Sequence, residues 1–194
     1  MTSGRTKPRP APRYRALRRA ALLLAGTGAL LLVAAAVTLV PLIQMVWSPS
    51  FGVPPTRSDA VFVFAGESAR LELALELIDE GVSDTLVVSL GEREPLISGR
   101  CGSTLPVRVL CPEPENLDTK GEARMFGALA SEHGWTDVVA VTGDYHSARA
   151  RMLLDRCLDG TSTFVLVDWE GVGSSVVRHE VAGLWAARFL DRGC

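Results

Sequence analysis

The sequence predicts an α/β protein: a three-layer Rossmann-like domain with a mainly parallel sheet, preceded by one N-terminal transmembrane helix. Three observations carry this reading. Short apolar, β-branched runs alternate with amphipathic segments from Asp59 to the end of the chain. One such stretch, Val138 to Cys157, passes from a strand pattern through Gly143 into a helical pattern, with Asp144, Tyr145, His146 and Arg149 gathered at the junction. The third is the run from Ala20 to Val40, 21 residues without a charge.

Residues 1 to 19 hold seven of the chain's 20 basic residues and no acid, with Pro8, Pro10 and Pro12 set among arginines. Such a stretch cannot bury enough apolar surface to fold and is expected to be a disordered cytoplasmic tail. The formal charge of −2 over 194 residues hides this asymmetry, because 13 basic and 22 acidic residues remain beyond the tail, a formal −9. An acidic body excludes nonspecific nucleic-acid binding, which needs a basic face to release phosphate counterions.

Residues 20 to 47 form the expected transmembrane helix, since at 1.5 Å per residue the uncharged run crosses a hydrocarbon core of about 30 Å. The basic arm keeps the N-terminus in the cytoplasm by the positive-inside rule, and Trp47 falls where aromatic belts lie. A cleaved signal peptide is the alternative, with Ala34 to Ala36 as a cleavage site. The apolar run continues past those alanines, which favours a retained anchor in the cytoplasmic membrane with the domain outside. Residues 48 to 58, rich in proline and glycine, read as a linker.

The extracytoplasmic domain is placed at 59 to 194. Asp59 to Gly66, DAVFVFAG, reads as a buried strand broken by Gly66; a helix follows, with Leu71, Ala74, Leu75 and Ile78 on one face, ended by Gly81. Asp84 to Ser89 is the next strand, so the three elements make a βαβ unit with a parallel pair. From Gly91 to Asn116 glycines, prolines and two cysteines mark a long loop, with a short strand at Val107 to Leu110. Helix returns from Asp118 to Gly134, where Thr119 and Glu122 have capping-box spacing and Ala123, Phe126, Leu129 and Ala130 form a stripe. After the central strand and helix come a strand at Thr163 to Val167 and a last helix at Val176 to Arg192, with Val177, Val181, Leu184 and Trp185 inward.

The four cysteines, Cys101, Cys111, Cys157 and Cys194, all lie on the side where disulfides persist, and they permit three pairings. Cys101 with Cys111, closing a loop, and Cys157 with Cys194, tying the chain end to the central helix, is the preferred set. No CxxC spacing is present, and no metal site is read.

An open parallel sheet keeps its ligand outside the carboxyl ends of its strands, which directs attention to the residues after Val63 and Thr142. His146 has the titration range of an acid or base near neutral pH, or is a structural imidazole. Asp144 orients His146, binds a cation, or caps the helix. Arg149 and Arg70 suit a phosphate or carboxylate beside free amides at helix starts, or serve as ion-pair partners. Gly66, Glu67 and Ser68 form the first turn, and Tyr145 lines the cleft or packs inward. Ser68 within Gly66-Glu67-Ser68 has half of a nucleophile elbow but no second glycine, so a serine hydrolase is the weaker reading.

DAVFVFAG with Arg70 beyond it, LVVSLG at 86 to 91, DTKGEA at 118 to 123, VVAVTGDYHSARAR at 138 to 151 and HEVAGL near the end together resemble the YdcF, SanA and ElyC family of bacterial envelope proteins. The likeness covers residues 59 to 194, and TGDYHSAR is its most specific motif. It implies a Rossmann-like, often membrane-anchored protein with a role in envelope barrier function or in peptidoglycan and carrier-lipid metabolism. Some cytoplasmic relatives bind S-adenosylmethionine, a ligand scarce on the outer side expected here, and no cofactor is assigned. The expected partners are therefore the membrane and an anionic envelope metabolite such as a lipid-linked phosphate or peptidoglycan precursor. Arg70 and Arg149 would hold the anion, and His146, oriented by Asp144, would transfer a proton. The alternative is a noncatalytic envelope-integrity factor using the same cleft to bind a ligand or protein.

Overall fold

The computed structural model describes residues 12–47, 52–90, 101, 106–168 and 173–194. The chain divides into two compact units, Met1–Pro41 and Leu42–Cys194. Helix α1 (Pro12–Trp47) begins eight residues inside the stretch expected to be a tail; the first 11 residues and the linker residues 48–51 lie outside the described residues. Within α1, Ala16–Gln44 is the one described segment long and apolar enough to cross a membrane. Most of its large side chains, Leu22 to Leu24 and Leu30 to Leu32 among them, are exposed rather than packed in a core, whereas Leu42 near its end is buried. A membrane anchor and a signal sequence share these properties.

The second unit is built on a sheet of five strands: β1 (Ala60–Val63), β2 (Thr85–Val88), β3 (Arg108–Leu110), β4 (Asp137–Gly143) and β5 (Thr161–Val167). Their order is β3-β2-β1-β4-β5, and every neighbouring pair is parallel. Parallel strands need crossovers, here helices α2 (Ser68–Asp79), α3 (Thr119–His133) and α4 (Ser147–Cys157), with α5 (Ser174–Phe189) closing the chain. The long loop expected from Gly91 to Asn116 falls largely outside the described residues.

Because side chains alternate across a strand, β1 feeds two cores at once. Ala60, Phe62 and, just past the strand, Phe64 join Phe126 and Ala130 of α3 and Ala150 and Leu154 of α4 on one face. Val61 and Val63 join Leu71, Ala74, Leu77 and Ile78 of α2 on the other. Both faces of the sheet are thus covered, which explains why β1, β2 and β4 read as continuous apolar runs rather than alternating ones. Phe62 stacks on Phe126 with ring centroids 4.1 Å apart and meets Phe64 edge-on at 4.8 Å.

The disulfides are Cys101–Cys111 and Cys157–Cys194, the pairing preferred from sequence. They are the kind of cross-link that an oxidising compartment preserves. Three local readings need correction. On α2 the buried stripe includes Leu77, while Leu75 is only partly covered. On α5 Leu184 is buried but Trp185 is 38% exposed, against Phe189, because the helix turns Glu180 and Ala187 inward instead. The capping box at the start of α3 does not form: Asp118 is the cap, accepting the Gly121 N–H at 2.7 Å, and both Thr119 and Glu122 are used elsewhere.

Candidate functional site

Strand order reverses at β1, whose neighbours are β2 on one side and β4 on the other. The chain leaves β1 toward α2 and leaves β4 toward α4, so the two strand-to-helix turns part and open a crevice between them. A cleft of about 440 Å³ lies there, bordered by both turns, by the start of α3 and by α5. Gly66, Glu67, Arg70, Tyr145, His146 and Arg149, all candidates from sequence, line it. Ser68 and Asp144 are not among its lining residues.

At the first turn Gly66 has φ +150°, and a Cβ there would come within 2.5 Å of the Arg70 guanidinium, so glycine is required on both counts. Arg70 folds back under the turn. It is 3% exposed, donates to the Ala65 carbonyl, and pairs with Glu67 Oε2 at 2.8 Å. It also donates to the Phe64 carbonyl at 3.5 Å and to Tyr145 Oη at 3.1 Å, and that hydroxyl donates to Glu67 Oε1 at 2.8 Å. The three side chains close a ring linking the turn after β1 to the turn after β4. Burial drives the Tyr145 phenol up to about 12, against the pull of Arg70, so it is a neutral donor.

At the second turn Asp144 receives the Tyr145 N–H, and its backbone carbonyl accepts from the Ser147 hydroxyl at 2.7 Å. His146 follows, buried, with Nδ1 2.9 Å from Thr142 Oγ1 and Nε2 3.0 Å from Thr119 Oγ1. One threonine accepts the ring N–H while the other donates to the ring lone pair. Two threonines, rather than Asp144, thus orient the imidazole. Burial first, then the positive charges of Arg149 and Arg70, hold its pKa well below the ordinary histidine range, so the ring is neutral at physiological pH.

Arg149 makes a two-pronged pair with Glu180 of α5, Nε to Oε2 at 2.8 Å and Nη2 to Oε1 at 2.7 Å. Gly183, one turn along α5, allows this: a Cβ there would stand 2.9 Å from Arg149 Cδ. Both cleft arginines therefore carry a carboxylate partner from the chain itself.

Glu122 is a fourth wall of the cleft that the sequence did not assign. It is 6% exposed, and its Oε1 accepts the Ala65 N–H at 2.7 Å. Burial raises its pKa, opposed by the Ala65 amide and the Ser89 hydroxyl and then by the charges of Arg70 and Arg149. Its capping-box spacing concealed it. The signal that separates the two readings is Asp118: a cap residue directly before Thr119 makes a second carboxylate at Glu122 redundant for capping. Among the described residues no group of His, Cys, Asp and Glu has metal-binding geometry.

Comparison of the chain with family models, with curated proteins and with solved structures found no match.

Proposed function

We propose that this is a membrane-anchored envelope protein whose outer domain binds an anionic envelope metabolite, such as a lipid-linked phosphate or peptidoglycan precursor, in the cleft between β1 and β4. The observation that carries the reading is the convergence of Arg70 and Arg149 on one cleft at the point where strand order reverses. The starts of α2 and α4 lie beside the same turns, and amides at a helix start favour an anion. Glu67 and Glu180 neutralise the arginines, so an anionic ligand exchanges places with a carboxylate instead of entering an open positive pocket. The apolar helix Ala16–Gln44 and the two disulfides support an anchored domain on the oxidising side.

Binding without turnover is favoured over acid–base catalysis by one observation: both ring nitrogens of His146 are occupied by threonines. The test uses the full chain in detergent micelles, titrated with an isoprenyl monophosphate. Arg149→Ala is expected to weaken binding by about 10-fold or more, as loss of a charge-assisted contact does. Unchanged affinity in that variant, or no binding by the wild type, removes the anion-site reading. In cells producing the full chain, protease added outside the cytoplasmic membrane should digest the domain; protection would reverse the proposed orientation.

A further inference from the structure

Four carboxyls border the cleft, and three have a settled partner among the described residues. Glu67 pairs with Arg70, Glu180 with Arg149, and Asp118 caps α3. Glu122 is different. It is buried, makes no salt bridge among the described residues, accepts the Ala65 N–H on Oε1, and has the Ser89 hydroxyl beside it. That amide fixes the carboxyl in place and leaves Oε2 to carry a proton. A buried carboxylate with no ion-pair partner is costly, so the site itself favours the neutral acid.

We infer that Glu122 is a ligand-binding residue that meets the anionic group as a neutral carboxylic acid, donating a hydrogen bond from Oε2 to a phosphate oxygen. This rests on the proposed anion site. An ionised Glu122 beside a phosphate would repel it, and one shared proton turns that repulsion into a charge-assisted hydrogen bond. The upward displacement of the Glu122 pKa agrees with this arrangement. The ligand class is thereby narrowed to an oxyanion bound together with a proton, the phosphate of a lipid headgroup or a free phosphate.

Other titratable groups share the cleft and bound the test: Glu67 and Arg70 on α2, His146 and Arg149 around the start of α4, His179 and Glu180 on α5. Glu122→Gln isolates the contribution of one of them. Glutamine keeps an oxygen for the Ala65 amide and places an N–H where the acid has its proton, whatever the pH.

The full chain in micelles is titrated from about pH 4, the ordinary glutamate range, to about pH 9 with an isoprenyl monophosphate and, separately, with inorganic phosphate. Wild-type affinity is expected to fall as pH rises through the Glu122 ionisation, approaching about 10-fold per pH unit beyond it, while Glu122→Gln loses this component. At the acid end the two proteins should agree within about threefold, a spread smaller than the loss of one hydrogen bond. The ligand's own second ionisation acts on both proteins alike. Tighter binding of the isoprenyl compound assigns the phosphate to a lipid; equal binding assigns it to free phosphate, with the same shared proton. Identical pH profiles in wild type and Glu122→Gln overturn the inference while leaving the anion site standing. No binding by either protein at any pH overturns the anion site and the inference with it. Thermal melting of Glu122→Gln near that of the wild type establishes that the variant is folded.

Discussion

A histidine just after a central strand invites a catalytic reading, yet its two hydrogen bonds decide what it does. His146 sits between Thr142 at the end of β4 and Thr119 at the start of α3, and so stitches two elements together. Its protonation would put a charge in a buried site already facing Arg149 and Arg70. The folded-state pKa is depressed, so above about pH 6.5 both folded and unfolded forms are neutral and the group is silent. Below that value the unfolded chain takes up a proton that the folded one refuses. Stability then falls by up to about 1.4 kcal/mol per pH unit until the folded-state pKa is reached. In urea unfolding between about pH 7 and pH 5, the wild type should therefore lose more stability than His146→Gln, whose amide does not titrate. Parallel pH profiles for the two would mean that the imidazole is solvated after all.

Among the elements, the start of α3 shows how sequence and structure part company. Asp118→Ala should cost about 1 kcal/mol through loss of the cap to the Gly121 N–H, measurable as a lowered urea midpoint with the slope unchanged. Periodicity made the strands, crossover helices and parallel class legible, because burial on both faces leaves a continuous apolar signature in β1, β2 and β4. It also exposed the turns that hold Gly66, Arg70, Tyr145, His146 and Arg149. What it could not supply was long-range pairing. Arg149 with Glu180 and Ala65 with Glu122 are contacts between residues 31 and 57 positions apart, and no local pattern announces them. The same gap explains Trp185. A helical stripe says which residues share a face, but the neighbour that covers the face decides how wide the buried strip becomes.

At the scale of the whole molecule, the last helix is held to the central one by covalent and noncovalent means together. Ala187 of α5 packs with Leu153 of α4 and Ala123 of α3, and Arg156 donates to the carbonyls of Ala187 and Asp191. The Cys157–Cys194 disulfide then joins the end of α4 to the last residue, closing a segment of 37 residues, against 10 for Cys101–Cys111. In the chain-entropy picture the two restrict the unfolded state by about 4 and about 3 kcal/mol. For the proposed anion site the larger one has a consequence, because the segment it closes contains Glu180, the partner that holds Arg149. Replacing Cys157 and Cys194 by serine should lower the unfolding free energy by about 4 kcal/mol, read from urea unfolding of the full chain in micelles. If packing alone fixes α5, the native circular dichroism spectrum will be unchanged at low denaturant and only the midpoint will move. If the bond itself holds α5 in place, Glu180 will leave Arg149 in the native state. The double variant will then bind isoprenyl monophosphate more tightly than the wild type while being less stable, a reversal that loss of folding cannot mimic.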